Sequence, residues 1–127
     1  MSKKILKRNE VPVENTWNLA DMYESDDAWL AEYENLKALP AQIVEYQGKL
    51  GESAKNLLDY FKLEDEIELR LSTLYGYANC KGDEDTANGF YQDLRGKAMS
   101  TYVAIAGASS FATPELMAIP DETIEQF

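Results

Sequence analysis

The tightest constraint on this chain is a run of apolar residues between positions 63 and 78: Leu63, Ile67, Leu71, Leu74 and Ala78 follow at intervals of four, four, three and four. An α-helix brings that spacing onto one face, whereas a strand would scatter it over both sides of a sheet. A helix with such a stripe must bury it, so partner helices are required. The chain supplies them. Ser25, Asp26 and Asp27 offer a cap and first-turn acids to a helix whose apolar face is Trp29, Tyr33, Leu36, Ile43 and Tyr46. Pro40 predicts a kink or a restart over 36–40, and Gly48 and Gly51 close the element. The 63–78 stripe is preceded by Leu57, Leu58 and Phe61 in a helix opening near Glu52 and Ser53. The two sets are out of phase, which predicts a bend over 62–65. Residues 81–85 read as a turn with an acidic run, after which Asp85, Thr86 or Asn88 caps a third long helix with the stripe Tyr91, Leu94, Ala98, Tyr102 and Ile105.

Three glycines fall in helical patterns. Gly76, Gly96 and Gly107 each lower helix propensity, and close approach of a neighbouring element is the expected compensation. Thr113, Pro114 and Glu115 predict a cap, a first-turn proline and a first-turn acid for a short helix carrying Leu116, Met117 and Ile119. Asp121, Glu122 and Thr123 open another with Ile124 and Phe127 on its apolar face, and its shortness predicts that the helical domain is truncated at its C-terminal end. Residues 1–24 lack a sustained period, with Pro12 and Asn15 as breakers, and read as an extended arm whose cluster Trp17, Leu19, Met22 and Tyr23 docks on the core. The expected architecture is all-α: an antiparallel helical bundle over 25–127 with bent long helices and an extended N-terminal arm over 1–24.

Charge and composition narrow the function. Twelve Lys and Arg stand against 23 Asp and Glu, a formal net charge of -11, which repels nucleic acid and anionic membrane surfaces. The basic residues Lys3, Lys4, Lys7 and Arg8 at the start read as a solvated arm. No run resembles a secretory or membrane segment, and the lone Cys80 fits a reducing compartment, so a cytoplasmic protein is expected. Histidine is absent. That removes the usual zinc ligand and the imidazole of Ser-His and Cys-His systems, so no catalytic, cofactor-binding or metal-binding residue is expected in this chain. Asp83, Glu84 and Asp85, like Glu64, Asp65 and Glu66, could gather oxygen ligands, but neither run has the alternating acids and glycine of a calcium loop, and solvated acids at helix ends are the plainer reading. Tyr75 and Tyr77 flank Gly76 and could line a binding groove, though packing is the ordinary explanation, and Cys80 reads as a small buried hydrophobe.

Several segments in order resemble one family. Residues 17–23 (WNLADMY), the helix beginning Asp26-Asp27-Ala28-Trp29, the segment Leu74-Tyr75-Gly76-Tyr77-Ala78, residues 83–88 (DEDTAN), Ser109-Ser110-Phe111 and Pro114-Glu115-Leu116 are similar to the amino-terminal region of oligoendopeptidase F, a thimet-oligopeptidase-like zinc metallopeptidase. The resemblance runs from about Val11 to Phe127. It implies an all-helical, clefted enzyme that hydrolyses short peptides, with zinc held by an H-E-x-x-H helix and a downstream glutamate. That motif does not occur in these 127 residues, so no catalytic position is carried over. The implied role is part of the wall of the substrate channel, inactive alone, with the remainder of the enzyme and its oligopeptide substrate as partners and self-association of the isolated chain expected. The alternative is an independent acidic helical module that binds a partner protein.

Overall fold

The computed structural model describes residues 4–127, so Lys3 of the basic start lies outside the described residues. Among those residues there is no strand, and the fold is all-α with bent long helices. Its helices are α1 (Asp26–Leu36), α2 (Leu39–Val44), α3 (Ala54–Glu84), α4 (Gly89–Ser109), α5 (Ala112–Met117) and α6 (Asp121–Gln126). α3 and α4 form a long antiparallel hairpin, and α1 and α2 pack against both. The caps are the ones the sequence offers. The hydroxyls of Ser25 and Ser53 accept from the amides of Ala28 and Asn56, and the Asn88 side chain accepts from Phe90, each at 3.1 Å.

Of the two outcomes open at Pro40, the chain takes the restart. α1 stops at Leu36 and α2 begins at Leu39, with Pro40 in a first turn where no amide is needed. Leu36, Leu39 and Ile43 are all buried across this break. α3 is one continuous helix through 62–65. The phase mismatch read from its first two turns arises because Leu58 and Phe61 stay exposed, while Tyr60 is the fully buried residue. Tyr60, Ile67, Leu71, Leu74 and Ala78 are then one stripe.

Three expectations about α3 and α4 are corrected. Residues 81–84 are helix, not turn. Gly82 is buried where α4 comes close: the Gln92 amide donates to its carbonyl at 3.2 Å, and a Cβ there would stand 2.5 Å from Cδ of Arg95. In the α4 stripe Tyr102 is exposed and Thr101 is buried in its place, its hydroxyl satisfied by the Lys97 carbonyl at 3.0 Å. Close approach occurs at Gly76, which faces the Met22 side chain, whereas a Cβ added at Gly96 or Gly107 would meet nothing within 4 Å.

The arm is held more than its sequence suggests. Residues Arg8–Glu10, Val13–Asn15 and Leu19–Asp21 form 3-10 turns, and Arg8 pairs with Glu84 at 3.0 Å. Leu19 is buried and Tyr23 meets the edge of Tyr77 with ring centroids 5.4 Å apart, but Trp17 is 87% exposed and does not dock. At the other end, Thr113 lies inside α5 and is not its cap. Ser110 and Phe111 keep helical dihedrals, so the corner from α4 to α5 leaves no extended residue to cap with. The Glu115 carboxylate instead accepts the amides of Gly48 and Leu50, both at 2.8 Å, fastening the loop in which Gly48 has φ 80°.

Candidate functional site

Two places gather polar or aromatic groups from several helices. The first is a knot at the start of α1. Asp26 accepts hydrogen bonds from the hydroxyls of Tyr77 on α3 at 2.7 Å and Tyr91 on α4 at 3.0 Å. Lys81 stands over both rings, 5.6 and 5.5 Å from their centroids. Burial, and then the bond to Asp26, push both hydroxyls above the ordinary tyrosine range. Every buried side-chain nitrogen or oxygen among the described residues has a partner, so no polar group is left aimed at a ligand. The knot is a fastening of three helices. Nothing local signals it, since Asp26 lies 51 and 65 residues from its partners.

The second is a groove of about 440 Å³ between α3 and α4, lined by Leu71, Tyr75, Gly76, Met99 and Tyr102, with Glu68 and Ser72 at its rim. Tyr75 reaches this groove, but Tyr77 points the other way into the Asp26 knot, so the two tyrosines flanking Gly76 do not act together. Cys80 is half-buried against the core.

The acidic runs are dispersed. Asp83 pairs with Arg95 at 3.2 Å, Glu84 with Arg8, and Asp85 accepts from the amide of Ala87. Glu64 accepts from the Tyr60 hydroxyl at 2.6 Å, and Glu66 pairs with Arg70. Arg70 also pairs with Glu32 of α1 at 2.6 Å, and this bond holds the Glu32 carboxyl below its usual range. Among the described residues no three His, Cys, Asp or Glu come together in a way that could hold a metal.

The tyrosines carry a pH signature. Tyr23 is raised to about 12 by burial, and Tyr60, Tyr77 and Tyr91 are raised as well, burial again being the main cause. A folded pKa above the unfolded value of 10.0 means that the native state holds protons the unfolded chain releases. Their contribution is full below pH 10 and is lost as pH rises through the folded values. Absorbance titration at 295 nm is expected to show these four ionising only in a cooperative step that coincides with loss of helix signal. Independent ionisation near pH 10 would contradict their burial.

By sequence, the chain is similar to bacterial oligopeptidases. It is 39% identical over 120 residues to oligopeptidase PepF of Bacillus subtilis (strain 168), a match covering 94% of this chain and 18% of that protein. It is 33% identical over 121 residues to the plasmid oligoendopeptidase F of Lactococcus lactis subsp. cremoris, covering 94% of this chain and 20% of the relative. Group B oligopeptidase PepB of Streptococcus agalactiae serotype III (strain NEM316) is 28% identical over 120 residues, with the same coverage. No family model matches the chain, and no solved structure matches it. The chain is similar to a part of these relatives and spans about a fifth of the length of the curated relatives it matches. No described helix is long and apolar enough to cross a membrane.

Proposed function

We propose that this chain is a non-catalytic helical region of a cytoplasmic, zinc-dependent oligopeptidase, forming part of the wall of its substrate channel and admitting only short, flexible peptides. The observation that carries this reading is the similarity to oligopeptidase PepF and to oligoendopeptidase F along 94% of the chain. The chemistry falls to the rest of the protein. The residues here do not fit a zinc site: imidazole is absent, and the acidic runs are spent on separate partners. The chain's own contribution is shape, a rigid layer of helices fastened by the Asp26 knot and the Arg70 to Glu32 pair.

The test is cleavage of a short fluorogenic peptide by the 127-residue chain with added zinc, beside the full-length polypeptide encoded by the source gene. The account expects no turnover by the chain alone, and turnover by the full-length protein that stops on chelation. Zinc-dependent cleavage by the chain alone, or a full-length protein without peptidase activity, would overturn it.

A further inference from the structure

α4 has an apolar outer side as well as an apolar inner one. Leu94, Ala98, Thr101 and Ile105 face the core. On the opposite side Met99 is 45% exposed, Tyr102 54% and Val103 61%, and Ala106 and Gly107 are exposed beside them. No charged residue occurs from Ala98 to Pro114, in a chain of which 28% is charged. A helical segment without charge on any side, as α4 is from Ala98 onward, is usual in an interior. The face is also continuous with the α3–α4 groove, since Met99 and Tyr102 line both. Gly96 and Gly107 present bare backbone with nothing over it, so a second helix has room to come close.

We infer that the outer face of α4, from Gly96 to Gly107, is where a helix from the remaining four fifths of the full-length protein docks. This rests on the reading of the chain as a region of an oligopeptidase, whose relatives are five times its length. The alternative occupant is a second copy. It is disfavoured by charge, because two chains would bring together net charges of -11 each. A helix of the same polypeptide is held near by the chain itself.

Val103→Glu adds a charge at a solvent-facing helix position, so the 127-residue chain is expected to keep its melting temperature, while the full-length protein loses several degrees and part of its activity. Should the full-length variant fail to fold, peroxide oxidation of Met99 in the unmutated proteins serves instead: it is expected to be about tenfold slower in the full-length protein, because reactivity follows exposure. Equal melting of both full-length forms with equal Met99 oxidation would overturn the docking face and leave the peptidase reading standing. A dimer of the 127-residue chain in sedimentation, abolished by Val103→Glu, with Met99 oxidised equally fast in the full-length protein, would assign the face to a second copy and overturn the inference. A full-length protein without peptidase activity would remove the reading on which both rest.

Discussion

Replacing Trp29 by alanine is expected to lower unfolding free energy by about 4 kcal/mol, a large fraction of what a domain of this size has. Trp29 is fully buried between α1 and α3, stacks on Tyr33 with centroids 5.7 Å apart, and donates its indole N–H to the Leu74 carbonyl at 2.8 Å. Alanine leaves a cavity that α1 is too short to close. Trp29→Phe keeps most of the packing and loses the hydrogen bond, for about 1–2 kcal/mol. Urea unfolding followed by far-UV circular dichroism is the measurement, because the other tryptophan, Trp17, is exposed and reports little. A loss below about 1 kcal/mol for the alanine variant would contradict the packing described.

The second large effect is at Tyr60. Its ring joins Tyr46 at 5.6 Å and Phe111 at 5.9 Å, which brings the loop after α2 and the start of α5 onto α3. Tyr60→Ala is expected to cost about 3–5 kcal/mol, by analogy with other buried aromatics, and to release α5 together with the Glu115 clamp. Tyr60→Phe isolates the hydroxyl that donates to Glu64 and should cost about 1 kcal/mol. Proteolysis within 45–53 that accelerates in the alanine variant but not in the phenylalanine one would locate the damage. Unchanged proteolysis in both would show that the loop is held by Glu115 alone.

What was legible in the sequence follows from how local each signal is. The caps at Ser25, Ser53 and Asn88 act over two or three residues: Ser25 stands where the sequence places it, Ser53 at the expected helix start, and Asn88 is the one of three candidates that the chain uses. The stripe from Ile67 to Ala78 also repeats within one helix and is buried as expected. Tyr60 escapes a sequence reading because its tyrosine hydroxyl and the neighbouring Leu58 and Phe61 make the adjacent positions look more apolar. Gly82 looks like a turn because glycine favours turns, and only the arrival of Arg95 from α4 explains it as a contact. The Asp26 knot and the Arg70 to Glu32 pair join residues far apart in sequence, and no periodicity encodes them. The uncharged stretch from Ala98 to Pro114 is visible in the sequence. Its core face is legible from periodicity too, except at Tyr102, which is exposed while Thr101 is buried.

The central claim, that this chain is one region of a larger zinc oligopeptidase, is tested most directly by reading the source gene beyond the codon for Phe127. The account predicts that the frame continues for several hundred codons and encodes an H-E-x-x-H motif followed by a further glutamate, supplying the ligands these helices lack. A stop codon directly after Phe127 would contradict it and leave an acidic helical module whose apolar α4 face binds some other protein.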